Sequence, residues 1–177
     1  MEKILVMAWN GAGKTELEKR YTNNKNIRSI EYKYIYDKER PPEIQKCIKD
    51  RAVNPEWPKN FLDAVKANLG KTIVVISFDV RLSELYQMDD FKETIRGSRI
   101  IVVCPHEDNF DEYERRYLSR GNSKEFIEDR RKDFPRTLAL LGGMRDYEKI
   151  TLKPGQYLAD ALRAYGLELD PVQDYAD

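Results

Sequence analysis

The sequence predicts an α/β fold in which a five-stranded parallel sheet lies between layers of helices. Three observations carry that expectation. Two apolar runs, Thr72–Phe78 and Arg99–Cys104, are continuous rather than alternating, the pattern of strands covered on both faces. Helical signals with recognisable stops separate the apolar runs, as crossover helices separate parallel strands. The opening strand runs directly into Ala8-Trp9-Asn10-Gly11-Ala12-Gly13-Lys14-Thr15, a glycine-rich turn that hands the chain to a helix.

The elements follow in order. Lys3–Met7 is the first strand, and the helix from about Lys14 carries Leu17 and Tyr21 four apart, as an inward stripe. Ile27–Tyr32 is the second strand. Residues 37–59 are irregular and contain Pro41-Pro42, Asn54-Pro55 and Trp57-Pro58, so they read as an insertion. Asn60-Phe61-Leu62-Asp63 opens a helix that closes at Gly70 and buries Phe61, Leu62, Val65 and Leu69. After the third strand, Val80–Met88 and Asp89–Arg96 form a helical stretch. Beyond the fourth, Asn109 to Glu112 and Asn122 to Glu125 each have the spacing of a capping box, and Gly121 between them suits a helix end. Pro135 is expected to begin a further helix carrying Leu138, Leu141 and Met144. Lys149–Leu152 is the fifth strand. Gly155–Tyr165 is the last helix, stopped by Gly166, and 168–177 is an acidic tail expected to fray.

At 177 residues the chain suits one domain, spanning 1–167. Its 31 Lys and Arg balance 31 Asp and Glu, which argues against non-specific coating of nucleic acid. No apolar run has the length of a membrane span, no secretory signal is evident, and the two cysteines, Cys47 and Cys104, have no metal-ligand spacing. A cytoplasmic location is the expectation, with Cys104 as a small core residue. One histidine, His106, excludes chemistry that needs a histidine pair.

The glycine-rich turn carries the sharpest chemistry. Gly11 and Gly13 let the backbone curl so that the amides of Asn10–Thr15 surround phosphate oxygens. Lys14 reaches the β- and γ-phosphates of ATP, and the Thr15 hydroxyl suits Mg2+. Ala8 stands where the usual Gly-x4-Gly-Lys-Ser/Thr pattern begins with glycine. The expected fold is therefore a three-layer P-loop NTPase with strand order 2-3-1-4-5. In such sheets ligands sit beyond the carboxyl ends of the strands. Polar residues expected there are Ser29, Glu31 and Asp37, then Asp79 and Arg81, then His106, Glu107 and Asp108. Asp79 either holds Mg2+ through water or caps the helix that follows. Glu31 either accepts the proton of an acceptor hydroxyl or aims that hydroxyl, or it is a solvated strand residue. Region 110–134 contains Arg115, Arg116, Arg120, Arg130 and Arg131 beside Gly121, the composition of a closing lid; Arg116 and Arg120 share a helix face. Interleaved Glu and Asp also allow a salt-bridged surface helix. Trp57 and the tyrosines near Glu31 could stack a base or simply pack.

This layout resembles the nucleoside-monophosphate-kinase and shikimate-kinase group of P-loop kinases. Asn54–Phe61, Arg116–Ile127 and Leu152–Asp160 are further similar to small phage-type nucleotide kinases. The resemblance implies ATP and Mg2+ as cofactors, phosphate and metal roles for Lys14 and Thr15, lid roles for Arg116 and Arg120, and an acceptor side near 54–61. Two departures leave the acceptor open. Phe78-Asp79-Val80-Arg81 replaces the Asp-Gly-x-Pro-Arg of adenylate kinases, and Ser29-x-Glu31 replaces the Asp-x-Asp of shikimate kinases. A kinase for a nucleotide or nucleoside leads. A kinase acting on a hydroxylated base or end in DNA is a second reading, and an ATP-dependent switch a third. The Asn-Lys-x-Asp motif of a GTPase is absent.

Overall fold

The chain alternates strand and helix along most of its length. The structure, a computed structural model, describes residues 2–20, 26–31, 33–35, 51–78, 82–143, 146–167 and 169. The expectations for Tyr21, Asp37, Pro41-Pro42, Cys47, Asp79, Val80, Arg81, Met144 and nearly all of the tail lie outside these residues. Within them the elements are β1 (Ile4–Trp9), α1 (Lys14–Arg20), β2 (Ile27–Ile30), β3 (Tyr34–Ile35), β4 (Ala52–Val53), α2 (Lys59–Asn68) and β5 (Ile73–Phe78). There follow α3 (Leu82–Tyr86), α4 (Asp89–Ile95), β6 (Arg99–Pro105), α5 (Phe110–Ser119), α6 (Lys124–Gly143), β7 (Glu148–Leu152) and α7 (Leu158–Ala164).

Five strands form one parallel sheet in the order β2-β5-β1-β6-β7. The numbering departs from 2-3-1-4-5 because β3 and β4, too short to be seen as apolar runs, pair antiparallel and add two strands before β5. Strand periodicity sorts the core into two layers. From β1, Val6 and Ala8 face α1, α5, α6 and α7, with Leu17, Tyr113, Tyr117, Ile127 and Leu162. Leu5 and Met7 face α2, α3 and α4, with Phe61, Val65, Leu85 and Phe91. β1 has neighbours on both edges and helices on both faces, so the turn that follows it emerges at the centre of the molecule.

Three local expectations are corrected. Pro135 does not start a helix; it lies inside the 20-residue α6. An internal proline costs a helix about 3 kcal/mol. Here Ile127, Arg130, Phe134 and Thr137 are all buried on either side of the proline, so packing holds the helix through it. Glu112 does not reach back to the Asn109 backbone; its carboxylate is drawn to Arg116 and to the Gly155 amide. At α6 the cap is Ser123, whose hydroxyl accepts the Phe126 N–H at 3.2 Å. Cys104 is buried as expected, and burial pushes its thiol up to about 11.

Candidate phosphate-binding site

Residues 10–13 join β1 to α1. Gly11 and Gly13 have φ of +87° and +106°, a region that L side chains rarely adopt. Space forbids a side chain as well. A Cβ on Gly11 would stand 2.9 Å from a Tyr117 ring carbon, and one on Gly13 would stand 2.8 Å from a Tyr157 ring carbon. The loop therefore sits on two tyrosine rings.

The carbonyls of this loop are tied outward. Asn10 O accepts the Tyr117 hydroxyl at 2.6 Å, Gly11 O accepts Arg116 Nη1 at 3.1 Å, and Ala12 O accepts the Leu158 N–H at 2.8 Å. In a planar trans peptide the N–H points opposite to the C=O. Holding Asn10 O and Ala12 O on the α5 and α7 side thus turns the Gly11 and Gly13 N–H groups the other way. Among the described residues, neither of these two N–H groups has a backbone acceptor. Ala12 N–H closes the turn onto Trp9 O at 3.0 Å, and Gly13 O receives Leu17 N–H at 2.8 Å. Convergent amides of this kind form a concavity suited to an anion.

On the open side stands Lys14. Its ammonium lies 3.3 Å from Glu31 Oε1; Lys14 is 9% exposed and Glu31 48%. Glu31 follows β2 and accepts a hydrogen bond from Ser77 of β5, a residue in register with Ala8 of β1. Burial at the sheet edge pushes the Glu31 carboxyl up. Lys14, the Ser77 hydroxyl and the Arg51 guanidinium outweigh it, and the net effect is a pKa below the ordinary carboxylate value. Glu31 is accordingly ionised at neutral pH. Thr15 is exposed at the first turn of α1. Ser29 is half-buried on β2, two residues before Glu31.

On the other side, Arg116 does not stand free as a lid arginine would. Its Nη2 donates to Gln156 O at 2.9 Å and to Glu112, while Nη1 holds Gly11 O. The guanidinium carbon lies 4.2 Å from the Tyr157 ring centre and 4.9 Å from that of Tyr113. Glu112 also accepts the Gly155 N–H at 2.9 Å and Asn109 Nδ2 at 3.1 Å. Burial opposes ionisation of Glu112, but the Gly155 amide, Asn109 and Arg116 overcome it and lower its pKa. The turn after β7 thus has its backbone groups engaged by α5.

The other arginines divide. Arg130 is buried and pairs with Asp133 at 2.8 Å. Arg131 binds Glu114 and lies over the Phe110 ring, pinning α6 to α5. Arg120 is exposed at the end of α5, one turn beyond Tyr117, and no described residue gives its guanidinium a hydrogen bond or ion pair. The 110–134 region packs into the core through Tyr117–Phe126, Phe110–Phe134 and Trp9–Phe134 ring contacts.

Just before and within α2, Trp57 packs on Phe61 with ring centres 5.1 Å apart, and the Lys33 ammonium lies 5.5 Å from the Trp57 ring centre. Lys33 also pairs with Glu84 at 2.9 Å. His106 is exposed, and its Nδ1 accepts the Asp108 N–H at 3.3 Å, capping the turn after β6. Sequence reasoning missed Ser77, Glu112, Tyr117 and Tyr157. The one usable signal was the spacing of Glu112, Tyr113, Arg116 and Tyr117, which places two aromatic–charged pairs on one helical stripe.

No family model matches this chain, and no curated protein matches it. Among solved structures, a gluconokinase from Sinorhizobium meliloti 1021 aligns with it at 20% identity and a TM-score of 0.49, over 92% of this chain and 87% of that one. Among the described residues, no helix is long and apolar enough to cross a membrane.

Proposed function

We propose that this chain is a P-loop phosphotransferase that moves the γ-phosphoryl group of Mg-ATP to a nucleotide or nucleoside. The observation that supports this most is the loop: its carbonyls are fastened outward, its amides turn inward, and Lys14 stands at its mouth beside an ionised carboxylate. The polyphosphate would be received by the amides of Gly11 and Gly13, by Lys14 and by the first turn of α1. Lys14 would exchange Glu31 for phosphate oxygens.

The residues present fit Mg2+. The Thr15 hydroxyl and the ionised Glu31 are hard oxygen donors, and Asp79 remains a candidate through water. When bound, the ion would neutralise charge on the phosphates. Glu31 is better suited to orienting the acceptor hydroxyl than to removing its proton, because a carboxylate of depressed pKa is a weak base. Phosphoryl transfer through a loose transition state needs little base catalysis and much positioning. Arg120 would supply positive charge from the rim, and Ser29, Trp57 and Arg81 would face the acceptor.

The deciding experiment measures ADP release from Mg-ATP against nucleosides, nucleoside monophosphates, small hydroxylated metabolites and DNA, with Lys14→Ala as control. Acceptor-dependent release with a nucleoside or nucleotide, lost in the variant, is the expected result. Turnover only with polynucleotide and strong salt dependence would favour a DNA substrate. A slow background across the whole panel would favour a switch.

A further inference from the structure

We propose that Arg116, oriented by Glu112, is a positioning residue that holds the phosphate loop in its anion-receiving shape. This role rests on the reading that the loop receives phosphate. It differs from the lid role that the arginine's spacing suggests, in which the guanidinium would itself meet a phosphate oxygen.

Four observations carry it. Arg116 is 9% exposed, and its terminal nitrogens donate to Gly11 O, Gln156 O and Glu112. A guanidinium so engaged has to break these bonds to reach a ligand. Its positive charge is matched at once by Glu112, so its contribution to the loop is geometric rather than electrostatic. Its acceptors lie in two segments far apart in sequence, the phosphate loop and the turn after β7, and one planar group fixes their relative placement. The two rings near its guanidinium carbon also support the loop glycines: Tyr157 lies against Gly13, and Tyr113 lies 3.2 Å from where a Gly11 Cβ would be.

The consequence follows from peptide geometry. With Gly11 O held by Arg116, the Ala12 N–H is turned toward Trp9 O, which closes the turn. If Gly11 O is released, the Gly11–Ala12 peptide can rotate, the Ala12 N–H bond that closes the turn on Trp9 O is lost, and the flanking Gly11 and Gly13 amides lose the placement that the turn gives them. Lysine cannot replace the arginine here. Its single ammonium lacks the planar fork that meets several acceptors at fixed angles.

The test compares the wild-type chain with Arg116→Lys and Glu112→Gln in calorimetric binding of Mg-ATP and of inorganic tripolyphosphate, well below each variant's thermal midpoint. Arg116→Lys is expected to weaken both ligands alike, by about tenfold to a hundredfold, as misplacement of a preorganised site does. Glu112→Gln, which keeps the arginine but removes the charge that orients it, is expected to weaken both by less. Unchanged tripolyphosphate binding with a lowered kcat would assign Arg116 to phosphoryl transfer instead. A lowered midpoint with unchanged binding would reduce it to a stabilising residue. Should Arg116→Lys fail to fold, Glu112→Gln decides: tight binding of both ligands overturns the role. Should the wild type bind neither ligand, the phosphate-binding reading falls and this role with it.

Discussion

Lys14 and Arg116 flank the same loop, and each meets a glutamate, yet the two pairs differ in what surrounds them. Glu31 is 48% exposed at the mouth, and Lys14 depends on it for the one ion pair that the described residues give it. Glu112 is 15% exposed, and its carboxylate is shared among Arg116, Asn109 and the Gly155 amide. The first pair can be exchanged: a phosphate offers Lys14 more charge than Glu31 does, and water can solvate the released carboxylate. The second pair has no such route, because releasing Arg116 strands the buried Gly11 carbonyl and takes a cation from the half-buried Glu112 carboxylate at once. On the proposed reading, the loop has both kinds, one cation free to follow a phosphate and one that holds the backbone.

Substitutions at the two cations should separate these roles. Lys14→Ala is expected to lower turnover by about 10²–10³-fold, as loss of a preorganised charge donor does. Its thermal midpoint should move little, since the Glu31 carboxylate left behind is 48% exposed and water can solvate it. Arg116→Ala should behave in the opposite way and destabilise the fold by about 3–5 kcal/mol in denaturant titration, the usual consequence of leaving a buried charge without its partner. Equal loss of stability in both variants would erase the distinction.

A smaller effect should appear at Tyr117, which accepts from Trp9 Nε1 at 2.9 Å and donates to Asn10 O. Tyr117→Phe is expected to cost about 1–3 kcal/mol in chemical denaturation, because the indole N–H is left buried and unpaired. Smaller again is a pair at the opposite end of the strands, where β6 and β7 begin. Arg99 binds Glu148 with two bonds, at 2.6 and 2.9 Å, and this with the Tyr165 hydroxyl lowers the Glu148 carboxyl to about 2. A carboxyl depressed in the folded state contributes stability above its ordinary value of 4.5, lost as pH falls toward 2. Acid titration of Arg99→Gln should show a shallower loss across that window. Activity at neutral pH should be untouched, since the pair lies away from the loop.

The legibility of the molecule follows the same contrast. The glycine-rich loop is contiguous, so its turn into α1 can be read from eight residues, and the central sheet strands can be read from apolar runs that double coverage explains. Glu112 and Arg116 could not be placed in this way. Their partners, Gly11 and Gln156, are 105 and 40 residues from Arg116, and a charged pair four apart on a helix looks the same whether it faces water or a loop. Pro135 misled for a related reason: its local signal is a helix start, and only the burial of Phe134 and Thr137 beside it explains why the helix continues. Glu31 was ambiguous because strand register decides where it faces, and register depends on the pairing of β2 with β5.

The most direct test of the account follows the carboxyl carbons of Glu31 and Glu112 by NMR through a pH titration, with and without ATP. Binding should raise the Glu31 midpoint, because Lys14 leaves it for phosphate, while the Glu112 midpoint stays depressed. Saturation with ATP that leaves Glu31 unmoved, or that shifts Glu112 instead, would contradict the division of the loop into an exchangeable flank and a fixed one.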